Sequence, residues 1–184
     1  MESDALNSDI ARIQAMNWRE LQRLWKQLEE GVSNEWAPGK ALEHLILRAF
    51  QLDGANVSWP YRVALQGQEI EQIDGAVYCE GISCLIECKD TASPVNIEPI
   101  AKLRNQLLRR PAGVLGAVFS RSGFTEPAQT LAQFLAPHAV LLYSGEEIGY
   151  LLNKEYITRS LTRKYQYCVE YGLPTFDSRE EELA

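Results

Sequence analysis

The segment EQIDGAVYCEGISCLIECKD, residues 71–90, predicts two strands joined by a tight turn at residues 80–81. The second strand is almost wholly apolar, yet it contains Glu87 and ends at Lys89. The first strand is interrupted by Asp74, although aspartate is disfavoured inside strands. Charges in such apolar strands are costly to bury unless they are paired or bind a metal ion. This segment therefore suggests a charged site inside a sheet.

The three charged residues are predicted to converge. Side chains alternate along a strand, so Glu87 and Lys89 share one face. A hairpin with its turn at residues 80–81 brings Asp74 beside them. Carboxylate oxygens suit Mg²⁺, and a lysine beside a metal-bound water can orient or deprotonate that water. The alternative is a simple Glu87–Lys89 ion pair where the strand emerges into solvent.

The rest of the chain predicts an α/β protein. The hairpin and the strand before it form an antiparallel meander, and βαβ-like crossovers follow, so we expect a mixed sheet with helices on both faces. The acidic residues 174–184 are predicted to be frayed. The predicted helices span 8–30, 40–54, 96–110 and 125–135 before two terminal helices, and the predicted strands span 56–65, 70–79, 82–89, 112–120 and 138–144.

Composition restricts the class of protein. The 184 residues suit one globular domain, and no apolar run is long enough to predict a membrane span. The polar N-terminus lacks the apolar stretch of a signal peptide. A net charge of −7 argues against a broad basic surface for nucleic acid, but not against a nuclease, because bound metal ions supply local positive charge.

The four cysteines have no metal-type spacing of the CxxC kind, so we expect them to be small core residues. An iron–sulfur or zinc site is the alternative, because Cys79, Cys84 and Cys88 lie close together in the sequence. This cysteine usage and the absence of a signal sequence predict a cytoplasmic protein.

Asp74, followed after twelve residues by Glu87-Cys88-Lys89, resembles the signature of the PD-(D/E)xK nuclease superfamily. The order of elements is similar to that of the superfamily core. Over residues 38–145 the chain is most similar to the branch of Mrr-type restriction endonucleases and archaeal Holliday-junction resolvases, including GFTEPA at 123–128. One departure is that Ile73 replaces the family's proline.

The resemblance implies a restriction-endonuclease-like fold, with a meander of three strands plus two further strands between helices. It also implies hydrolysis of DNA with Mg²⁺ or Mn²⁺ held by Asp74 and Glu87, and with Lys89 acting on the attacking water. The family pattern places a further acidic residue on the helix before the sheet, and Glu43 matches it. We expect Glu43 to contact metal-bound water or Lys89. The alternative is a partly exposed glutamate on a polar stripe of that helix.

Contacts with DNA phosphates are predicted for Lys102, Arg109 and Arg121, because they lie on or after elements that contact DNA in proteins of this type. A solvated basic face is the alternative. We divide the chain into an N-terminal helical extension (1–35), an endonuclease-like core (36–150) and a C-terminal helical extension with a tail (151–184). The apolar stripe of the N-terminal helix predicts either docking on the core or a homodimer interface, and the C-terminal helices are a second candidate interface.

These observations together predict a cytoplasmic, metal-dependent DNA endonuclease. One alternative is a catalytically inactive nucleic-acid- or protein-binding module of the same fold, which the acidic net charge favours and the intact Asp/Glu/Lys set disfavours. Another is an exonuclease or junction resolvase that acts on branched or single-stranded ends. A third is a small interaction protein whose terminal helices are the functional part.

Overall fold

The computed structural model describes residues 2–33, 35–135 and 138–183, with the side chains of 2–6 and 181–183 left out. The helices are α1 (Glu2–Gln14), α2 (Trp18–Glu29), α3 (Lys40–Leu52), α4 (Ile97–Leu107), α5 (Glu126–Gln133), α6 (Gly145–Lys154) and α7 (Ile157–Tyr171), and a 3₁₀ helix spans Ser178–Leu183. The strands are β1 (Asn56–Ser58), β2 (Tyr61–Leu65), β3 (Gln68–Ile73), β4 (Gly75–Cys79), β5 (Ile82–Lys89), β6 (Leu115–Ser120) and β7 (Val140–Tyr143).

Five strands form one mixed sheet in the order β1-β4-β5-β6-β7. The pairs β1–β4 and β4–β5 are antiparallel, whereas β5–β6 and β6–β7 are parallel. The core on one face of the sheet includes residues of α2, α3, α6 and α7, and the core on the other face includes residues of α4 and α5. The predicted α/β fold, with a mixed sheet and helices on both faces, is confirmed.

The meander differs from the prediction because a separate hairpin is inserted into it. The predicted strand 56–65 breaks at Pro60, which has no N–H to donate to a ladder. Within the described residues, strands β2 and β3 then pair only with each other, through a turn at Gln66 and Gly67 that has positive φ at both residues. The chain rejoins the sheet after Asp74, at the start of β4.

The single N-terminal helix predicted over 8–30 is in fact two helices. Asn17 takes an extended conformation, so the helical hydrogen bonds cannot continue through it. Its side chain accepts a hydrogen bond from Glu20 N, and the Glu20 carboxylate accepts one from Asn17 N. This capping box starts a new helix at Trp18.

The apolar stripe of α2 packs inside the chain's own core. Its buried residues join the cluster formed with α3, so the first of the two predicted uses of this stripe, docking on the core, is the one observed. The homodimer stays a prediction. Within the part of the chain that the structure describes, no helix combines the length and hydrophobicity needed to cross a bilayer. The buried side chains of α2 are Leu21, Leu24, Trp25 and Leu28.

The prediction of a frayed C-terminal tail is wrong as far as residue 180. Ser178 is fully buried, and its N–H donates to the Glu147 carboxylate at 2.8 Å. That carboxylate also forms a buried ion pair of 2.9 Å with Lys164, whose ammonium donates to Leu142 O at 2.7 Å. The segment after α7 is thus held at the edge of the sheet by an ion pair and hydrogen bonds. Its acidic composition gave no indication of these contacts. The side chains beyond residue 180 lie outside the described part.

Candidate active site

The antiparallel register of β4 and β5 sets the geometry of the site. Gly75 pairs with Ile86, which brings the preceding residue, Asp74, level with the end of β5. Cys88 N donates a 2.9 Å hydrogen bond to Asp74 Oδ2. The hairpin predicted from sequence therefore places Asp74 where it was expected. Asp74 is itself buried, with 5% of its surface exposed.

Strand β5 presents its two faces to different cores, as its alternation predicts. Cys84, Ile86 and Cys88 belong to the core under α3, and Leu85 belongs to the core under α4. Glu87 lies on the α4 side and is only 1% exposed. An apolar strand thus carries a carboxylate into the interior, which requires compensating charge.

Two ammonium groups compensate Glu87. Lys89 Nζ lies 2.6 Å from Oε1, and Lys102 Nζ on α4 donates to Oε1 and Oε2 at 3.0 and 2.9 Å. The Lys89 side chain is about one-third exposed, so the strand does emerge towards solvent at its end. Glu87 itself stays buried, so a simple ion pair between two solvent-exposed side chains at the strand end is excluded.

Helix α3 brings Glu43 close to the same cluster. Strand β4 lies so near α3 that a Cβ on Gly75 would stand 2.5 Å from Leu47 Cδ2. Glu43 is buried, and it accepts a 2.6 Å hydrogen bond from Lys40 Nζ rather than one from Lys89. Its burial excludes the partly exposed alternative.

Burial and like charge shift the acidities of these carboxyl groups. Burial first, then the charges of Glu87 and Glu43, raises the pKa of Asp74 to about 7, against the Cys88 N–H and Lys89, which lower it. Burial also raises the pKa of Glu43, although Lys40 opposes this shift. For Lys89 desolvation lowers the pKa, but the combined effect of Glu87 and Asp74 is larger and raises it. The ionised forms of Asp74 and Glu43 are thus disfavoured where they lie, and a cation bound beside them would favour those forms.

Comparison with known proteins now identifies the family. A family model described as "Restriction endonuclease" (Mrr_cat) matches residues 35–152, more than half of the chain. The chain belongs to this restriction endonuclease family. The resemblance to Mrr-type PD-(D/E)xK nucleases is therefore confirmed, and family membership supports a nuclease function.

Solved structures similar to this Mrr-type chain have low sequence identity to it, and the first of those described next shares its fold. The small subunit (R.BspD6I2) of the heterodimeric restriction endonuclease R.BspD6I is 14% identical, with a TM-score of 0.56 over 90% of this chain and 94% of that one. The DNA modification-dependent restriction endonuclease AspBHI is 15% identical, with a TM-score of 0.40 over 77% and 37%. A protein of unknown function, AF1548, is 19% identical, with a TM-score of 0.48 over 71% and 77%. No curated protein matches the sequence.

The chemistry of the donor set in this Mrr-type site fits a hard divalent cation. Among the described residues, no three histidine, cysteine or acidic side chains are arranged to hold a metal together. Mg²⁺, however, binds through only one or two carboxylates and fills its other positions with water and phosphate oxygens. Asp74 and Glu87 would be that pair if such an ion bound, and Glu43 lies near enough to interact electrostatically with both.

Each of the three residues predicted to contact phosphate already forms an ion pair within the protein. Lys102 pairs with Glu87, Arg109 with the buried Glu71, and Arg121 with Asp90. Their roles in DNA binding stay predictions. The acidic partners were not anticipated, because each pair joins residues that are far apart in the sequence and depends on tertiary packing, which local spacing does not report.

We expect metal affinity to depend on pH through Asp74. A ligand carboxyl must lose its proton to bind a cation, and a pKa of about 7 leaves Asp74 mostly protonated at pH 6. Affinity for Mn²⁺ should therefore rise about tenfold between pH 6 and pH 8, with release of a proton. Calorimetric titration without DNA, in two buffers of different ionisation enthalpy, measures both quantities. Equal affinity at the two pH values, or equal affinity in Asp74→Asn, would remove Asp74 from the ligand set.

Proposed function

We propose that this chain is a metal-dependent endonuclease that hydrolyses DNA phosphodiester bonds. The observation that carries the proposal is the β4–β5 register, which gathers Asp74, Glu87 and Lys89 into one largely buried cluster. Family membership supports the same reaction class. We further propose Mg²⁺ or Mn²⁺ as the cofactor, because two neighbouring buried carboxylates match the ligand preference of these ions.

Each signature residue has a distinct role in this proposal. Asp74 and Glu87 would hold the metal ion, which when bound would polarise the scissile phosphate and acidify a water ligand. Lys89 orients the attacking water and stabilises the developing charge. Its raised pKa keeps it protonated at neutral pH, which favours these roles over that of a general base. The products implied by the family resemblance are a 5′-phosphate and a 3′-hydroxyl.

Cleavage of both strands of a duplex would require two such sites, so we also propose a dimer. The small subunit similar to this chain belongs to a heterodimeric enzyme. The apolar residues of α2 are buried in the core, whereas Val169 and Tyr171 on α7 are exposed to solvent. These observations favour the C-terminal helices over the N-terminal ones as the interface.

The test of the proposed function is a comparison of DNA forms with and without metal. Supercoiled plasmid, linear duplex, branched and single-stranded DNA are incubated with the protein in Mg²⁺, in Mn²⁺ and in EDTA. Metal-dependent nicking of closed plasmid supports an endonuclease, and cleavage confined to ends or branches supports the exonuclease or resolvase alternative. Binding to DNA without cleavage of any form would support the inactive module instead.

DNA binding is expected to be only moderately sensitive to salt. The chain has a net charge of −7, and its candidate phosphate contacts are shared with acidic partners, so few cations can face the backbone at once. Each neutralised phosphate contributes about −0.9 to the slope of log affinity against log salt, so a few contacts give roughly −2 to −5. Titrations in Ca²⁺ at several salt concentrations measure this slope. A slope near −10 would reveal a large basic surface, such as one made by dimerisation.

A further inference from the structure

The contact between Lys102 and Glu87 is not explained by the signature residues alone. Lys102 lies on α4, outside the hairpin, and its ammonium donates to both oxygens of a carboxylate that Lys89 already contacts. One ammonium is enough to neutralise one buried carboxylate. The second ammonium therefore balances charge belonging to the wider cluster.

Charges in the cluster balance only while Lys102 is present. Three carboxylates, Asp74, Glu87 and Glu43, stand against three ammonium groups, Lys89, Lys102 and Lys40. Binding of a divalent cation to Asp74 and Glu87 adds two positive charges to this balanced set. One ammonium then becomes superfluous beside Glu87 and is repelled by the cation.

Lys102 is the ammonium best placed to leave. Its side chain is 45% exposed, against 31% for Lys89, so it sits at the solvent side of the carboxylate. Lys89 is held on the same strand as Glu87, and its carbonyl accepts a hydrogen bond from Arg121 N. An exposed lysine on a flexible stem keeps its hydration when it moves, which lowers the cost of exchange.

We propose that Lys102 is an exchangeable counter-ion for the proposed metal site. In the metal-free protein it occupies both oxygens of Glu87, and on metal binding it moves to the DNA phosphate, where its charge is again compensated. This inference rests on the proposed function, because it assigns Glu87 to the metal and phosphate to the substrate. It predicts that Lys102 weakens metal binding in the absence of DNA but strengthens DNA binding and cleavage.

The position of α4 does not depend on Lys102. Leu103 packs so closely on β6 that a Cβ on Gly116 would stand 2.7 Å from its Cδ2. Gln106 Nε2 donates to Gln72 O at 3.2 Å, and Arg110 forms a 2.6 Å ion pair with Glu71. The helix stays anchored when Lys102 is replaced, so variants at this position report on charge rather than on folding.

The experiment compares Lys102→Met, which keeps the length of the side chain, with Lys102→Arg, which keeps its charge. Arg104→Met removes a charge from an exposed position of the same helix and serves as the control. Mn²⁺ affinity without DNA is measured by calorimetry, DNA affinity is measured in Ca²⁺, and single-turnover cleavage is measured at saturating Mn²⁺.

In Lys102→Met, Mn²⁺ affinity should rise by about tenfold, because a cation next to the ligand is gone. DNA affinity should fall severalfold and cleavage by roughly tenfold or more, because a charge on the phosphate is lost. Lys102→Arg should stay near wild type in metal affinity. Unchanged or weaker Mn²⁺ binding in Lys102→Met would show that Lys102 does not compete with the metal ion for Glu87. Wild-type DNA affinity together with wild-type cleavage in this variant would show that Lys102 does not contact the DNA phosphate.

Failure of the proposed endonuclease function can be distinguished from failure of the counter-ion role of Lys102. If wild type binds Mn²⁺ but cleaves no form of DNA, the endonuclease assignment fails. The affinities for Mn²⁺ and for DNA then still decide whether Lys102 acts as an exchangeable counter-ion. If wild type binds no Mn²⁺ at all, both proposals are overturned.

Discussion

Replacing Lys89 by alanine is expected to lower the rate of DNA cleavage by roughly 10²-fold or more, the usual scale for a positioned acid–base group. In our account its ammonium, held by the Glu87 carboxylate, orients the attacking water. DNA affinity should change little, because the proposed phosphate contacts lie elsewhere. Cleavage in Mg²⁺ and binding in Ca²⁺ measure these two effects separately.

The same variant should fold nearly normally. Glu87 keeps its contacts with Lys102 when Lys89 is removed, so the buried carboxylate is not left unpaired. A partly exposed ion pair contributes about 1 kcal/mol or less, and the melting temperature should move correspondingly little. Lys26→Ala, at an exposed position of α2, is the matched control. Wild-type cleavage by Lys89→Ala would exclude the catalytic role and leave Lys89 as a charge partner of Glu87.

Replacing Asp74 by asparagine is expected to stabilise the metal-free protein at pH 8. The pKa of Asp74 is about 7 in the folded state and 3.8 ordinarily. A carboxyl group with a raised folded-state pKa contributes stability that is complete below the unfolded pKa and is lost as pH rises through the folded one. At pH 8 the wild type therefore lacks this contribution. Asparagine removes the charge and keeps an oxygen that can accept the Cys88 N–H bond.

The gain in unfolding free energy should reach at most ~4 kcal/mol at pH 8 and should shrink towards pH 4. Urea unfolding in EDTA at both pH values measures it, with Glu29→Gln at an exposed position of α2 as the control. In saturating Mg²⁺ the difference should become smaller, because wild type gains stability from the bound ion. An Asp74→Asn protein that is less stable than wild type at pH 8 in EDTA would contradict the charge crowding described for this cluster.

Local sequence determines the part of the site that lies on one hairpin. The two-residue period of β5, with the turn at residues 80–81, was sufficient to predict that Asp74, Glu87 and Lys89 converge. Glu43 was found only through the family pattern, because its distance from the hairpin depends on the packing of α3 against Gly75.

Contacts between distant elements could not be predicted from the sequence. The pairing of Lys102 with Glu87 depends on the rotation of α4, which is fixed by Leu103 and Leu107 packing on Gly116. The β2–β3 hairpin was missed because an alternating strand pattern does not specify its partner strand. Only Pro60 marked the point where the first strand leaves the sheet.

Whether this cluster is a nuclease active site is decided by the initial rate of plasmid nicking. Wild type and Glu87→Gln are purified in parallel and assayed in Mg²⁺ and in EDTA. We expect wild type to nick supercoiled plasmid in Mg²⁺ and to be inactive in EDTA. Glu87→Gln should be inactive under both conditions, because the amide loses the charge that holds the metal. Equal nicking by the two proteins in Mg²⁺, or no nicking by wild type in any metal, would contradict the assignment of this cluster as a nuclease active site.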